Sequence, residues 1–217
     1  MAFTETYNSP PLCKKEILRY AGCKTEGDLP TGLLDECIKE AKSVLVYKVC
    51  YLPLEVKTVG ENCDFGYFSV ESKALAKNLA EAEKAVVFAA TVGVGIDRLI
   101  SKYSALSPAK ALLLGAIGAE RIEALCDVFC SKTGEKTGLN TLPRFSPGYG
   151  DFALESQKDI FGILDCQKHI GLTLNSSLIM SPAKSVTAIM GLTVKPQGKT
   201  FKKCRACENR DCIYRGV

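Results

Sequence analysis

Residues 144–152 read RFSPGYGDF and lie between a long helical segment and the last helix and strands that the sequence predicts. Pro143 and Pro147 restrict the backbone on both sides of Arg144, because a proline fixes its own φ and limits the residue before it. Gly148 tolerates positive φ at low cost. The loop is therefore expected to hold several backbone N–H and C=O groups in one fixed shape.

The side chains of this loop favour a small polar ligand. A guanidinium such as that of Arg144 binds a carboxylate through two parallel hydrogen bonds. The ring of Tyr149 offers a flat face to another ring or to a sulfonium cation, and its hydroxyl offers a hydrogen bond. The same residues also suit a rigid surface turn with one solvated arginine, so the loop alone leaves both interpretations open.

The composition is that of a globular protein. The chain has 217 residues, of which 47% are hydrophobic and 24% charged. A net charge of +4 is too small to indicate a nucleic-acid partner. No apolar run reaches the length of about 18 residues that a membrane span needs, and the first residues lack the apolar core of a signal peptide. We therefore expect a cytoplasmic protein without a membrane partner.

The chain contains 11 cysteines, an odd number without the density of a small disulfide scaffold. Most are therefore expected to be reduced thiols. Cys50, Cys126, Cys130 and Cys166 lie in apolar segments, where cysteine usually behaves as a small hydrophobic core residue.

Apolar residues at helical spacing predict helices in several segments. Two open the chain, one ending at Gly22 and the next beginning behind Thr31 as its N-cap. The longest and most buried begins at Ser107 and Pro108. Gly171 is expected to close the last one. The predicted helices are residues 13–22, 31–45, 71–83, 107–132 and 154–171.

Segments rich in valine, tyrosine and phenylalanine predict strands at residues 44–59, 64–70 and 84–93. Residues 172–180 and 184–194 resemble the two strands of a hairpin. Strands joined by short turns as well as by helices favour an α+β domain with a largely antiparallel sheet, with a doubly wound sheet as the alternative. The glycines of TVGVGID, residues 91–97, indicate a close strand-to-helix turn more than a phosphate site, because a third glycine is missing.

Three motifs in residues 144–191 resemble the C-terminal activation domain of cobalamin-dependent methionine synthase. They are the R-x-x-P-G-Y loop (144–149), an amide residue with serine before an apolar pair (175–179), and P-x-x-S-V-[ST] (182–187). The three motifs occur in the same order and at the same spacing as in the family, and this combination indicates the family more specifically than any single motif does. The first 100 residues match the family poorly. They resemble instead what is expected of stand-alone relatives, short proteins that carry this domain without the catalytic modules.

The resemblance implies a fold and a ligand site. The fold is an α+β domain over residues 1–200, with a twisted, largely antiparallel sheet and flanking helices. The ligand is S-adenosylmethionine, with its carboxylate on Arg144 and its ammonium on Glu123. The backbone of Ser146 and Gly148 and the ring of Tyr149 would line it.

The resemblance also implies partners. The family presents S-adenosylmethionine to cobalamin that has become inactive cob(II)alamin, and a reduced flavodoxin supplies one electron for remethylation. For this chain the cobalamin would belong to a separate methionine synthase or another corrinoid protein, with flavodoxin or another electron donor. A departure lies at Thr200, beside Phe201, where the family has a tyrosine that contacts adenosine. This departure favours the alternative of a non-enzymatic metal- or iron-sulfur-binding module that kept the fold without binding S-adenosylmethionine.

Residues 201–217 form a cysteine-rich tail. Cys204, Cys207 and Cys212 follow a C-x2-C-x4-C pattern among lysines and arginines, whose charges favour the thiolate form that binds soft metals. A zinc ion or an iron-sulfur cluster would need a fourth ligand, from another cysteine, from His169, from a substrate or from a second chain. Metal binding and redox-active or incidental thiols both remain open.

Overall fold

The computed structural model describes residues 1–195, and its centre is a five-stranded antiparallel sheet in the order β1-β2-β6-β10-β7. A three-stranded sheet is formed by β3, β4 and β5, and a two-stranded one by β8 and β9. The strands are β1 (Phe3–Thr6), β2 (Lys48–Glu55), β3 (Lys57–Val59), β4 (Asn62–Asp64), β5 (Ser69–Glu71), β6 (Lys84–Thr91), β7 (Asn140–Thr141), β8 (Thr173–Leu174), β9 (Met180–Ser181) and β10 (Ser185–Thr193).

Two layers of helices cover the two faces of this sheet. One face packs against α1, α2, α4 and α5, and the other against α3, α6 and α7 together with the small three-stranded sheet. The helices are α1 (Lys14–Ala21), α2 (Leu33–Lys42), α3 (Lys73–Leu79), α4 (Val94–Leu106), α5 (Pro108–Thr137), α6 (Gln157–Leu164) and α7 (Cys166–Ile170).

Strand β6 lies at the centre of the sheet because it has no polar face. Every residue of β6 after Lys84 is buried. Val86 and Phe88 point into the core beneath α5, whereas Val87 and Ala89 point into the core on the other face. Side chains of a strand alternate between faces, so an unbroken apolar run requires cover on both sides.

The predicted fold class is confirmed. All strand pairs among residues 1–195 are antiparallel, which excludes a doubly wound parallel sheet for this part of the chain. Helices pack on both faces of the sheet, as in the α+β class that the sequence predicts. No helix within the described range 1–195 is long and apolar enough to span a membrane.

The helix predictions hold, with two corrections. Gly32, not Thr31, is the N-cap of α2, and it has a positive φ of 78°. The helix predicted over residues 154–171 is interrupted at Asp165, whose φ of 46° is left-handed, so α6 ends there and α7 follows. Gly171 closes α7 as predicted, with a φ of 71°.

The predicted hairpin of residues 172–180 and 184–194 is wrong. The first segment forms the two-residue strand β8 and reaches the start of β9 at Met180, and these two short strands pair with each other. Strand β10 instead pairs with β6 over eight residues and with β7 at its end. The two segments carry similar β-forming residues, but β10 can bury both of its faces only inside the large sheet.

The glycines between β6 and α4 permit a close approach of two chain segments. Gly93 has a φ of 83°, which an L-residue adopts only at a cost. A Cβ at Gly95 would lie 2.5 Å from the carbonyl oxygen of Val44. Both observations agree with the glycine-dependent strand-to-helix turn that the sequence predicts.

Adding a methyl group at two glycines is expected to change stability in opposite directions. Gly95→Ala forces a contact with the Val44 backbone and should lower the free energy of unfolding by about 1–3 kcal/mol. Gly115→Ala, inside α5 with open space around its Cα, should raise it by about 0.5–1 kcal/mol. Urea unfolding of both variants measures this, and a stable Gly95→Ala protein would contradict the close approach.

A buried ion pair fixes the N-terminal segment on α5. The guanidinium of Arg121, whose side chain is 1% exposed, donates to both carboxylate oxygens of Glu120. It also donates to the carbonyl oxygens of Pro10 at 2.6 Å and Pro11 at 2.7 Å. Glu120 in turn accepts from the backbone N–H of Cys13 at 3.0 Å. Each buried charge thus has several partners, which a buried charge requires.

Removing one member of this pair is expected to be costly. Arg121→Met leaves Glu120 buried without its cation and should lower the free energy of unfolding by about 3–5 kcal/mol. The double variant Glu120→Leu/Arg121→Met removes both charges and should be more stable than the single one. Chemical denaturation of the three proteins measures the difference, and a double variant no more stable than Arg121→Met would refute the charge argument.

The cysteine prediction holds for the apolar segments. Cys50, Cys126 and Cys166 are buried, and Cys130 is half-buried. No disulfide joins two cysteines within residues 1–195. Burial raises the pKa of Cys126, so this thiol is protonated and acts as a core residue.

Candidate functional site

The loop of residues 144–152 is anchored first on the large sheet. Phe145 forms an antiparallel bridge with Ile189 of β10, with N···O distances of 2.8 Å and 2.9 Å. Its ring stacks on that of Phe152 at 6.3 Å, and Phe152 is buried in the core. The two ends of the loop are therefore held against the same side of the sheet.

The far end of the loop is anchored on helix α3 by Asp151. Its carboxylate accepts from the hydroxyl of Ser72 at 2.6 Å and from the backbone N–H groups of Lys73 at 2.9 Å and Ala74 at 3.0 Å. The hydrogen bond from Ser72, followed by that from Ala74, lowers the pKa of Asp151. A carboxylate at a helix N-terminus satisfies backbone donors that otherwise lack partners.

Arg144 joins the loop to helix α5. Its guanidinium lies 2.5 Å from a carboxylate oxygen of Glu123 and 2.5 Å from one of Asp127. Glu123 and Asp127 are four residues apart and share one face of the helix. Burial opposes the charge of Arg144, but its anionic surroundings outweigh this effect and raise its pKa. The arginine is thus a fixed cation in a largely acidic neighbourhood.

Arg144 and Glu123 line two adjoining cavities. The first, named here the loop groove, has a volume of about 650 Å³. The second has about 740 Å³ and extends toward Glu16 and Asp127. Both are lined by Arg19, Tyr20, Glu123 and Arg144.

The loop groove has a charged end and a neutral end. Arg19, Glu123 and Arg144, the charged residues of its lining, also belong to the adjoining cavity. The rest of the lining is apolar or neutral polar. It consists of Tyr20, Asn78, Pro143, Phe145, Ser146, Pro147, Tyr149, Gln157, Met180, Ser185, Val186 and Thr187.

The predicted loop residues come together around this groove, with one difference of role. Ser146 and Tyr149 line the groove, and the Tyr149 side chain is 67% exposed. Gly148 does not line the groove; its φ is 91°, and its N–H donates to the carbonyl of Phe152 at 2.7 Å. Gly148 thus shapes the turn that presents Tyr149.

Sequence reasoning missed Asp127, Asn78 and Gln157. Asp127 was detectable, because it follows Glu123 by four residues in a predicted helix. Asn78 and Gln157 lie on α3 and α6 and reach the groove only through the packing of those helices. No local motif marks them.

The predicted metal ligands are not placed by the structure. Cys204, Cys207 and Cys212 lie outside the described residues, as does the departure at Thr200. His169, the suggested fourth ligand, lies 2.9 Å from the hydroxyl of Thr4 through Nδ1. Within residues 1–195 no group of three histidine, cysteine or acidic side chains is arranged to hold a metal ion.

The sheet order, the helices on both faces and the loop groove define the class of fold, that of the methionine synthase activation domain. A solved structure with this fold is the MetH reactivation domain bound to AdoHcy. It matches with a TM-score of 0.64 and 12% sequence identity, over 91% of this chain and 80% of that chain. The resemblance predicted from residues 144–191 is confirmed, and it extends to the N-terminal half as a likeness of fold. The sequence matches no family model and no curated protein.

The contribution of Asp151, which anchors the loop, to the free energy of unfolding is expected to depend on pH. The pKa of Asp151 is lowered in the folded protein, so its contribution to stability is present above its ordinary pKa of about 3.8 and is lost as the pH falls through the folded value. Asp151→Asn should be less stable than the wild type at pH 6, and the difference should shrink as the pH falls below about 4. Urea midpoints across this range measure it, and a pH-independent difference would argue against the carboxylate as the anchor.

Proposed function

We propose that this protein binds S-adenosylmethionine in the loop groove and supports reductive remethylation of cobalamin carried by a separate methionine synthase or corrinoid protein. The main support is the position of Arg144 and Glu123 side by side at the end of a groove that also presents Tyr149. The activation-domain fold adds to it, because the solved neighbour is a domain bound to AdoHcy.

The charges of the groove complement those of the ligand. S-adenosylmethionine carries a carboxylate, an ammonium and a sulfonium. Arg144 provides the donors for the carboxylate, and Glu123 provides an acceptor for the ammonium. The exposed ring of Tyr149 offers its face to the sulfonium. These three roles follow from the chemistry of the residues and agree with those that the family resemblance implies.

The size and rigidity of the groove also suit such a ligand. Its volume of about 650 Å³ falls within the usual range of about 300–1,000 Å³ for small-molecule sites. The loop is held on β10 by Phe145 and on α3 by Asp151. A loop fixed at both ends binds without a large ordering cost.

The role of this chain is that of a platform for the methyl donor. The partner's cobalamin would supply the methyl acceptor, and a flavodoxin or another electron donor would supply the electron. The residues of the loop groove hold the carboxylate and the ammonium and so fix the direction of the methyl group. Precise orientation of a reacting group is itself a large part of catalysis.

The domain boundary and the tail complete the proposal. Residues 1–200 form the ligand-binding domain, and residues 201–217 are an appended tail. Cys204, Cys207 and Cys212 are proposed to bind zinc or an iron-sulfur cluster together with one further ligand. Of the two, only an iron-sulfur cluster could transfer an electron, because zinc is not redox-active. The alternative function, a metal-binding module without S-adenosylmethionine, depends on this tail and on the departure at Thr200.

Titration calorimetry with S-adenosylmethionine tests the proposal. Arg144→Ala removes a charge-assisted contact to the carboxylate and should weaken binding by about 2 kcal/mol or more, roughly thirtyfold. Arg98→Ala, which removes an exposed arginine of α4 outside the groove, is the matched control and should bind as the wild type does. Absence of wild-type binding at millimolar ligand would remove the proposed function.

A further inference from the structure

Arg144 contacts two carboxylates of helix α5 that differ in their relation to the loop groove. Its Nη2 donates to Oε2 of Glu123, and its Nη1 donates to Oδ1 of Asp127, each at 2.5 Å. Glu123 lines the loop groove as well as the adjoining cavity, whereas Asp127 lines the adjoining cavity and not the groove. A ligand in the groove can therefore meet Glu123 directly, while the contact between Asp127 and Arg144 lies outside the groove.

The two carboxylates also differ in what a ligand does to them. Under the proposed function the ligand carboxylate binds Arg144 and the ligand ammonium binds Glu123, so the contact between these two residues is exchanged for contacts with the ligand. No group of the ligand is assigned to Asp127. Its carboxylate can therefore keep Nη1 of Arg144 in the free and in the ligand-bound protein.

A permanent partner is useful to an arginine that binds a ligand. The arginine side chain has many rotamers, and ordering them at the moment of binding costs free energy. Asp127 belongs to α5, a helix of 30 residues, so its carboxylate is held on a rigid element. The side chain of Asp127 is 69% exposed, however, against 15% for Arg144, so water screens this pair and its effect is modest.

We infer that Asp127 is a positioning residue, which holds the guanidinium of Arg144 in the orientation that binds the ligand carboxylate. Asp127 acts through Arg144 and does not contact the ligand. The inference rests on the proposed function, because it needs a ligand carboxylate on Arg144. It gives the three charged side chains separate roles, with Arg144 on the carboxylate, Glu123 on the ammonium and Asp127 on the arginine.

Titration calorimetry with S-adenosylhomocysteine and with 5′-methylthioadenosine tests the inference. The second compound has no amino-acid part, so it brings no carboxylate to Arg144. Asp127→Ala should weaken S-adenosylhomocysteine about fivefold, the size expected of an exposed ion pair, and should leave 5′-methylthioadenosine unchanged. Asp127→Glu keeps a carboxylate on this face of the helix and should retain most of the wild-type affinity.

The control variant is Glu135→Ala. It removes an exposed carboxylate of the same helix that lines neither cavity, and it should change neither affinity. Both compounds carry no net charge, so the loss of one negative charge from the protein has little long-range effect on their binding.

A double-mutant cycle with Arg144 gives a second readout. In the Arg144→Ala background Asp127 has no guanidinium to orient, so Asp127→Ala should cause no further loss of affinity for S-adenosylhomocysteine. A further loss of the same size as in the wild-type background would show that Asp127 acts independently of Arg144, and the inference would be overturned. The cycle also decides the matter if 5′-methylthioadenosine binds too weakly for comparison.

The outcomes separate this inference from the proposed function. If wild type does not bind S-adenosylhomocysteine, the proposed function fails and the inference fails with it. If wild type binds it and Asp127→Ala binds it equally well or more tightly, Asp127 does not position Arg144, while ligand binding in the groove stands. Equal weakening of both compounds would assign the effect of Asp127 to the fold and would also overturn the inference.

Discussion

The buried ion pair of Glu120 and Arg121 sets the rotation of helix α5, and the candidate site depends on that rotation. Arg121 can reach the carbonyls of Pro10 and Pro11 only if this side of the helix faces the N-terminal segment. Glu123 follows Glu120 by three residues, and Asp127 follows it by seven, so all three lie on one face of the helix. The ion pair that fixes the N-terminal segment on α5 therefore also directs the carboxylates of Glu123 and Asp127 toward Arg144.

The site itself is assembled from three parts of the chain that are far apart in sequence. Helix α5 contributes the carboxylates, the loop contributes Arg144 and Tyr149, and helices α3 and α6 contribute the amides of Asn78 and Gln157. The central strands hold these parts in register, because Phe145 is bridged to Ile189 of β10. The rigidity of the groove therefore comes from the sheet and is not a property of the loop sequence alone.

Much of the fold could be predicted because local chemistry decides it. Gly22 and Gly171 end helices by adopting positive φ, Pro108 begins one, and the apolar run of β6 requires cover on both faces. The break at Asp165 could not be predicted, since aspartate is compatible with a helix as well as with the left-handed conformation that it adopts here. The pairing of β10 with β6 could not be predicted either. The paired residues lie far apart in the sequence, for example Thr91 and Ser185 with a separation of 94, and no local sequence pattern indicates such a pairing.

The candidate site, like the fold, could be predicted from the sequence only in part. Arg144, Ser146 and Tyr149 were predicted from a short motif, and the structure places them on one groove. The direct contact between Arg144 and Glu123 was not predicted, since both were assigned to a ligand and not to each other. Within residues 1–195 the buried oxygens Oδ1 of Asn78 and Oε1 of Gln157 have no hydrogen-bond partner, and this results from the packing of distant segments, which a sequence does not show.

The contact of Arg144 with Glu123 and Asp127 has a consequence for which molecules enter the groove. A simple carboxylic acid that took over the Arg144 donors now bonded to Glu123 or Asp127 would leave the displaced carboxylate without that cation. An amino acid also carries an ammonium group. The carboxylate of Glu123 that is displaced from Arg144 would then pair with this ammonium. If the loop groove binds an amino acid as proposed, Arg144 and its two acidic neighbours would therefore favour zwitterions over plain anions.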